Sequence, residues 1–541
     1  MPALYGPPYE THLGSWIRPT TFFWAALGAT FGLANVWQFP YLASQHGGGL
    51  FVVLYLACLL LVTLPLMVTE ATMGRYARHG LVLAMDGFVR RARCSRGWLW
   101  AGRLGILAAF LVLSFTTVFG AISLAYVFFG AMGRFLDAGP SDASAILAAL
   151  VLEPEHYRSF MAWHGCFLLL VVWVSMQGVV HGLERATRAV TPTMILLVAA
   201  FFAVGVWQGD FARAANQLLS FNSAALTWQS LESALFHAFF TLGLGLGVWT
   251  LFGAYTPAGT RLKRSVLAVV LMDTLVAIVA GLAIFSLVPG GPEVASERGF
   301  NLLFLALPVA ISDLPGSQFL LAAIYLLMVM VVWSTSLALL EPVVGWLREW
   351  TGAPRPLSVF IVAVGVWLVG LGSLWSFNIW SDLQFGGGTF FRWVELLSGG
   401  LLVPLVSVLI AIFAGWHLTR TLALKVLGDT PRLFSRIWFW VMRLVLPVVV
   451  AYIGLQHSWS GAMAMCGRSS DAIWCQADWQ KPAITRSDDK PAGSPEGDAS
   501  KKAHSTTEQT DSPPTEPSPS SGEETDKGPA PDSDDVLYQS T

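Results

Sequence analysis

Long apolar stretches recur along this chain, and they constrain its fold more than any other feature. A helix needs about 20 apolar residues to cross the hydrocarbon core of a bilayer. Of the 541 residues, 55% are hydrophobic and only 12% are charged, whereas about a quarter are charged in soluble domains. The sequence therefore predicts an all-α integral membrane protein with about eleven transmembrane helices, at roughly 19–44, 50–74, 99–132, 160–179, 189–208, 228–256, 262–289, 317–350, 357–376, 390–418 and 433–456.

The basic residues predict how these helices are oriented. Lys and Arg are concentrated in the loops after the second, fourth, sixth, eighth and tenth stretches. Because cytoplasmic loops carry an excess of Lys and Arg, residues 1–18 are expected to form a short cytoplasmic N-terminus. An odd number of crossings then places the C-terminus on the periplasmic or extracellular side. No basic segment followed by a short apolar core begins the chain, so a multi-pass protein of the inner (plasma) membrane without a cleavable signal peptide is expected.

Residues 457–541 are expected to lie outside the membrane, and their composition changes within this tail. From Lys481 onward the chain is rich in Pro, Ser, Asp and Glu, and six Lys and Arg against thirteen Asp and Glu give a net charge of −7. Such a segment has too little apolar surface to fold, which predicts disorder from about residue 481. Cys466 and Cys475 follow the last apolar stretch, and they could form a disulfide on an oxidising face or remain two solvated thiols.

Two of the predicted helices contain residues that weaken a helix in lipid. The first has Gly28, Gly32 and Asn35, and the sixth has three alternating glycines in "FFTLGLGLGVW". Irregular backbone survives in a membrane only beside a cavity or a ligand. Interrupted helices at matching positions of two five-helix halves indicate a transporter site near the bilayer midplane. The alternative is that these glycines only allow close helix packing.

Glu70, Asp273 and Glu341 are carboxylates within apolar stretches, where each needs a partner or water. For Glu70 and Glu341 we expect a structural role, either in an ion pair or as an acceptor for amides freed at a helix break. Asp273 differs, since together with Thr30, Asn35 and Thr241 it supplies oxygen donors suited to an alkali or alkaline-earth cation. Ser334 and Thr335 offer a second pair of hydroxyl groups, although hydroxyls in helices often bond their own backbone.

From about Trp16 to Tyr452 the chain resembles the neurotransmitter:sodium symporters. The resemblance is carried by "GLANVWQFPYLASQHGGGLFVVLY", "LPLMVTEATMGRY", "GLERATRAVTP", "FFTLGLGLG", "LALLEP" and "LLVPLVSVLIAIFAGW". It implies a LeuT-like fold with two inverted five-helix repeats at about 19–208 and 228–418, broken helices 1 and 6, and a further helix at about 433–456. It also implies sodium-coupled alternating access in the transporter core, residues 19–456.

The resemblance further implies two sodium sites. By position, the first would use Thr30, Asn35, Thr241 and Asp273. The second would use the carbonyls of Gly28, Phe31 and Val331 with the hydroxyls of Ser334 and Thr335. Glu70 would support the break in helix 6. No organic cofactor and no nucleic-acid partner are expected.

Three departures from the family pattern surround the first sodium site. Asp273 stands where the family usually has Asn, Ala277 where chloride-dependent members have Ser, and His237 where Gln is common. A fixed carboxylate beside the ion would supply the negative charge that chloride otherwise brings, at a few kcal/mol for charges about 4 Å apart. We therefore expect chloride independence through Asp273 and His237, with His237 buried and neutral.

The substrate pocket also departs from the family pattern. Thr116 replaces a tyrosine that usually holds a substrate carboxylate. At the outer gate, Gln38 and Glu395 replace an Arg–Asp pair, so Glu395 is expected to be unpaired and to favour a solute with positive or no charge. At the cytoplasmic gate Trp16 and Glu349 are kept, the usual basic residue is replaced by Leu13, and Arg18 could substitute for it. The pocket would be lined by Leu33, Ala34, Val112, Phe115, Thr116, Phe240, Gly243, Leu246 and Leu339.

These observations predict a sodium-driven importer of a small solute, such as an amino acid, a similar zwitterion or an osmolyte. Two alternatives remain, a proton-coupled permease of the same fold and a transporter-like membrane sensor. An enzyme is not expected, because the sequence contains no HExxH motif and no legible Ser–His pair or carboxylate dyad.

Overall fold

The computed structural model describes residues 13–288, 300–428 and 431–466. These ranges are almost entirely helical, and their only β pairing consists of two isolated bridges. The acidic tail from residue 481, Cys475 and the predicted disulfide lie outside the described residues.

Nine continuous helices in the described ranges are long and apolar enough to cross a membrane. Two further apolar helices are interrupted: helix 1 consists of Thr21–Thr30 and Leu33–Gln45, and helix 6 of Trp228–Thr241 and Val248–Tyr255. The expected count of about eleven crossings and the expected breaks in helices 1 and 6 are confirmed. The continuous helices are helix 2 (Gly49–Ala77), helix 3 (Arg96–Ala131), helix 4 (Pro154–Met176), helix 5 (Val179–Gln208), helix 7 (Leu262–Leu287), helix 8 (Ser317–Thr351), helix 9 (Arg355–Trp375), helix 10 (Phe390–His417) and helix 11 (Arg432–Met465).

Short helices that were not predicted from the sequence occupy several of the connections. Each is too short to cross a bilayer, so a search for long apolar stretches passes over them. Leu81–Ala92 is amphipathic: it buries Leu81, Met85 and Phe88 on one face and ends in arginines. The others are Pro140–Val151, Phe211–Leu219, Leu302–Ser312 and Arg420–Leu427.

Long helices surround the two broken ones. Helix 8 packs along helix 3, helix 7 packs along helix 5, and the first segment of helix 1 lies against helices 5, 7 and 8. The second segment of helix 6 packs on helix 2. The interrupted segments are therefore enclosed by protein, which is the environment that an irregular backbone requires at membrane depth.

Glycines let helix 2 and the second segment of helix 6 come into backbone contact. A Cβ atom placed on Gly74 would lie 1.7 Å from the carbonyl oxygen of Thr250. One placed on Gly253 would lie 2.0 Å from the carbonyl oxygen of Ala71. The two helices thus meet through two reciprocal small-residue contacts, a packing mode typical of membrane helices.

A buried ion pair joins helices 8 and 9 at the face of the bundle that carries the described N-terminus. Glu341 is fully buried and pairs with the guanidinium of Arg355, which is only 9% exposed. Tyr255 Oη donates to Glu341 (2.9 Å), and Ser175 donates to it through its hydroxyl (3.0 Å). Arg355 Nε also donates to the carbonyl of Ser175 at 2.7 Å. The cluster therefore connects helices 4, 6, 8 and 9.

Arg355→Leu is expected to lower the free energy of unfolding by about 3–5 kcal/mol, because it leaves the Glu341 carboxylate buried without its cation. Adding Glu341→Leu should recover most of that loss, since a buried pair can be replaced by apolar groups at little cost. Thermal unfolding in detergent at one scan rate measures both. The matched control is Arg90→Leu, which removes an exposed pair with Asp86 and should change stability by less than about 1 kcal/mol. Equal effects of Arg355→Leu and Arg90→Leu would contradict the structural role of the buried pair.

Candidate ion and substrate site

The break in helix 1 frees backbone oxygens at particular residues. In a continuous helix the N–H of Gly32 would bond Gly28, and that of Asn35 would bond Phe31. Here the N–H of Gly32 donates to Thr30 O (2.7 Å), and that of Asn35 donates to Gly32 O (3.1 Å). The carbonyls of Gly28 and Phe31 thereby lose their usual helical donors. They are two of the three carbonyls predicted for the second sodium site.

The break in helix 6 is held open by glycine conformation and by two side chains. Gly243, Gly245 and Gly247 have φ angles of 56°, 79° and 75°, a region that favours glycine. The N–H of Gly245 donates to Glu70 Oε1 at 2.9 Å, and Trp249 Nε1 donates to Leu242 O at 2.7 Å. The structure thus places the Glu70 carboxyl against an amide freed by the interruption. Trp249 was not among the predicted site residues.

The residues predicted for the first sodium site meet between helices 1, 6 and 7. Asn35 Nδ2 donates to Asp273 Oδ1 (2.8 Å) and lies 3.4 Å from Thr30 O. Thr241 Oγ1 donates to Asn35 Oδ1 at 2.5 Å. Asn35 and Asp273 are fully buried, and Asp273 Oδ2 has no hydrogen-bond partner among the described residues. A buried carboxylate oxygen without a donor fits a cation, and this donor set consists of hard oxygens.

Gly28 of helix 1 and Ser334 of helix 8, both predicted for the second sodium site, lie close together. A Cβ atom on Gly28 would lie 2.8 Å from Ser334 Oγ and 2.6 Å from Thr191 Oγ1, so a larger residue there would displace these hydroxyls. Ser334 Oγ is buried without a hydrogen-bond partner among the described residues, while Thr335 Oγ1 donates to Val331 O at 3.2 Å. The freed carbonyls and the unpaired hydroxyl fit an alkali cation. Thr191 of helix 5 was not predicted here.

His237 lies in an aromatic enclosure one turn before Thr241. Its ring centroid is 5.4 Å from that of Tyr55 and 5.7 Å from that of Phe39. The side chain is 1% exposed, and neither ring nitrogen has a hydrogen-bond partner among the described residues. No described carboxylate pairs with this imidazole, and its neutral state stays a prediction. Ala277 is also buried.

One cavity of about 310 Å³ opens beside the two helix breaks. It is bounded by both breaks and by helices 3, 8 and 10, and its wall is mostly apolar. All nine residues proposed for the substrate pocket line it, and so do Gln38 and Glu395: Leu33, Ala34, Val112, Phe115, Thr116, Phe240, Gly243, Leu246 and Leu339. The Thr116 hydroxyl donates to Val112 O at 2.7 Å, within its own helix.

Several residues that line the cavity were not predicted from the sequence. They are mainly aromatic, and a wall residue of this kind cannot be told from an ordinary core residue before the helices are packed. His457 differs from the other missed residues because it belongs to helix 11. The missed set includes Trp37, Phe119, Phe236, Trp249, Phe300 and His457.

The expectation that Glu395 is unpaired is wrong. Arg392, one helical turn before it, donates from Nη1 to Glu395 Oε2 at 3.0 Å. Residues three apart on a helix lie side by side, so the pair forms within helix 10 and needs no partner from helix 1. Gln38 lines the same cavity. The acidic charge at this end of the cavity is therefore locally balanced, which removes the argument for a cationic solute.

At the face of the bundle that carries the described N-terminus, Trp16 is 2% exposed and packs edge-on against Phe252 and Tyr255. Glu349 accepts hydrogen bonds from Gly80 N (2.9 Å) and contacts His79 Nδ1 (3.1 Å). Arg18 does not take the expected place beside Glu349. Its side chain is exposed, and its backbone N–H donates to Glu184, a residue of helix 5 that was not predicted.

Sodium-dependent transporters of Bacillus subtilis and Haemophilus influenzae resemble this chain over nearly their whole length. It is 28% identical over 448 residues to an uncharacterized sodium-dependent transporter of Bacillus subtilis, YhdH, which covers 81% of this chain and 96% of that protein. It is 25% identical over 450 residues to an uncharacterized sodium-dependent transporter of Haemophilus influenzae, with 82% and 98% covered.

A solved structure and a family profile agree with these relatives. The crystal structure of MhsT in complex with L-phenylalanine superposes with a TM-score of 0.73 at 26% identity, covering 83% of this chain and 99% of MhsT. The profile of the sodium:neurotransmitter symporter family matches residues 14–134 and 158–456. Since this match covers most of the chain and extends through both helix breaks, the chain belongs to the sodium:neurotransmitter symporter family.

Proposed function

We propose that this protein is a sodium-coupled symporter that imports an amino acid or a similar small zwitterion by alternating access, without chloride. The observation that carries the proposal is the convergence of both helix breaks on buried oxygen donors beside one cavity. The first group joins helices 1, 6 and 7 through Asn35, Thr241 and Asp273. The second brings Gly28 of helix 1, whose carbonyl lacks its usual helical donor, close to the hydroxyl of Ser334.

Such an arrangement couples ion binding to the order of the broken helices. Sodium at the first site would hold helices 1, 6 and 7 together, and sodium at the second would hold helix 1 against helix 8. Each ion would then favour the conformation in which the broken helices 1 and 6 are held against their neighbours. The cargo would bind to that conformation. Coupling free energies of about 1–3 kcal/mol between sites are typical of this linkage.

The cavity supports an amino acid as cargo. The second segment of helix 1 begins at Leu33, and free N–H groups at a helix start attract a carboxylate. The cavity volume of about 310 Å³ lies at the lower end of the range for small-molecule sites. Its aromatic and aliphatic wall suits an apolar side chain, and MhsT was crystallised with L-phenylalanine.

The proposal includes a topology and an arrangement of the chain. The face with Trp16, Glu349 and the Glu341–Arg355 pair would be cytoplasmic, in agreement with the basic loops. Gln38 and Glu395 would then face outward. Residues 19–208 and 228–418 would form the two repeats, and the chain after helix 11 would lie outside the cytoplasm.

Uptake into proteoliposomes tests this function. Labelled amino acids should accumulate under an inward sodium gradient and not under a pH gradient alone. Accumulation driven only by pH would favour the proton-coupled permease. Sodium-dependent binding without any accumulation would favour the sensor.

Asp273→Asn tests the charge assigned to the first sodium site. Wild-type uptake should be unchanged when chloride is replaced by gluconate, because the carboxylate supplies the fixed negative charge. The substitution should weaken apparent sodium affinity by about tenfold or more, given a few kcal/mol for charges about 4 Å apart. Asp382→Asn alters an exposed aspartate and is the matched control. A chloride requirement in the wild type would contradict this assignment.

A further inference from the structure

Helix 11 contributes a side chain to the cavity that lies next to both helix breaks. His457 lines this cavity together with Glu395 and Gly399 of helix 10. In the proposed arrangement helix 11 belongs to neither five-helix repeat. Its residue at the cavity is therefore an addition to the pocket that the repeats themselves form.

Two glycines of helix 10 allow this approach. They lie in a wide helical turn, Leu396–Leu402, where an extra residue is accommodated. A Cβ atom on Gly400 would lie 2.9 Å from Ser458 Oγ and 3.5 Å from His457 Cδ2, so a side chain there would crowd these two side chains of helix 11. A Cβ atom on Gly399 would lie 3.3 Å from the ring of Phe240. Helix 11 and the aromatic wall of the cavity therefore approach each other across Gly399 and Gly400, which have no side chains.

The imidazole of His457 is held by aromatic rings and has free hydrogen-bonding capacity. It stacks on Phe236 with ring centroids 4.3 Å apart at 29°, and its centroid is 6.1 Å from that of Phe240. No described residue hydrogen bonds either ring nitrogen, whereas His164 contacts the hydroxyl of Thr117 (2.9 Å). A half-buried polar ring on a cavity wall needs a partner from water or from a ligand.

The position of His457 determines which part of a ligand it would meet. Phe236 precedes Thr241 by five residues, which corresponds to about 7.5 Å along the helix axis. The imidazole therefore lies at the end of the cavity away from the first sodium site. At this end the Glu395 carboxylate is balanced by Arg392, and most of the remaining wall is apolar. A full charge would be poorly solvated there, but a neutral polar group could pair with the imidazole.

We propose that His457 is a specificity-determining residue, which hydrogen bonds a neutral polar group at the end of the cargo remote from the sodium ions. This inference depends on the proposed symport. The cargo class is an amino acid whose side chain is apolar along its length and ends in a neutral donor or acceptor, as the phenol of tyrosine does. Side chains that end in a full charge are excluded.

The first test compares sodium-dependent binding of L-tyrosine and L-phenylalanine to the purified protein. Wild type should prefer tyrosine by about fivefold, the usual size of one net hydrogen bond. His457→Phe keeps the ring stack and should lose this preference, while phenylalanine affinity changes by less than about twofold. His457→Asn keeps a polar group, although a shorter one, and should retain part of the preference. The control is Gln456→Ala, which alters the exposed neighbouring residue and should leave the ratio unchanged.

The second test uses cysteine protection and does not depend on the preference. In a chain whose native cysteines are replaced, a cysteine introduced by His457→Cys should react with a methanethiosulfonate reagent. L-tyrosine with sodium should slow this reaction at least about tenfold, and either alone should do so less. Gln456→Cys should show no protection.

The two tests separate the inference from the proposed function. An unchanged tyrosine preference in His457→Phe, or His457→Cys without protection, would overturn the role of His457 while sodium-driven uptake still stands. Sodium-driven uptake of other solutes without binding of tyrosine would overturn the cargo class alone. Absence of any sodium-dependent binding or uptake would overturn both.

Discussion

Asn35→Ala is expected to reduce sodium-driven uptake by at least about a hundredfold. The Asn35 side chain accepts a hydrogen bond from Thr241 of helix 6 and donates one to Asp273 of helix 7. All three residues belong to the proposed first sodium site. Alanine removes an ion ligand and also leaves the Asp273 carboxylate, which is fully buried, without its nearest donor. Losing a partner of a buried charge costs several kcal/mol, which exceeds the coupling free energy of about 1–3 kcal/mol expected between ion and cargo.

Initial rates of uptake as a function of sodium concentration measure this effect. Asn216→Ala is the matched control, because it truncates an exposed asparagine on the connection between helices 5 and 6. A binding assay in sodium shows whether the loss concerns the ion or the fold, since folded protein should still bind at much higher sodium. Uptake by Asn35→Ala with wild-type sodium dependence would rule out the first sodium site as proposed.

Gly74→Ala is expected to prevent recovery of folded protein. Its Cβ atom would lie 1.7 Å from the carbonyl oxygen of Thr250, and the clashing atom is backbone, so no side-chain movement relieves it. Helix 2 and the second segment of helix 6 would have to separate, although the break in helix 6 depends on Glu70 of helix 2 through its bond to Gly245. We expect a loss of more than about 4 kcal/mol, at the extreme of single substitutions.

Size-exclusion profiles and thermal unfolding of the detergent-solubilised protein report the outcome. Gly253→Ala, with its Cβ atom 2.0 Å from Ala71 O, should behave in the same way. Gly165→Ala is the matched control in helix 4, where a Cβ atom would meet nothing within 4 Å. It should be neutral or slightly stabilising, because alanine favours a helix over glycine. A monodisperse Gly74→Ala protein with unchanged unfolding would contradict the close approach of these helices.

The number of crossings and the locations of the two breaks could be predicted from the sequence, because a bilayer places simple requirements on the composition of each crossing. A bilayer demands about 20 apolar residues for each crossing and tolerates glycine-rich, polar sequence at depth only beside a cavity. Helix ends were less accurate: helix 11 continues to Met465, beyond the expected end at 456. Short connecting helices such as Leu81–Ala92 were missed, since their signal is amphipathic rather than apolar.

Some residues of the site could also be predicted from the sequence, and others could not. The oxygen donors around Asn35 and the nine pocket residues could be named in advance, because the motifs of helices 1, 3, 6, 7 and 8 align with a family pattern. Partners contributed from elsewhere could not. Thr191, which approaches Gly28 from helix 5, is one example. The pairing of Glu395 with Arg392 is another, because a motif shows which residue is replaced but not where its charge finds a new partner.

Sequence alone determined that this chain crosses a membrane many times, that helices 1 and 6 are weakened midway, and that oxygen donors accompany both weak points. These properties depend on composition and local spacing, because the lipid bilayer places its requirements on each segment separately. Tertiary structure alone decided that the Arg355 guanidinium meets Glu341 and that glycines in helix 10 admit helix 11 to the cavity. It also placed His457 against Phe236. Such contacts depend on how helices cross, and crossing is set by packing between residues far apart in the chain.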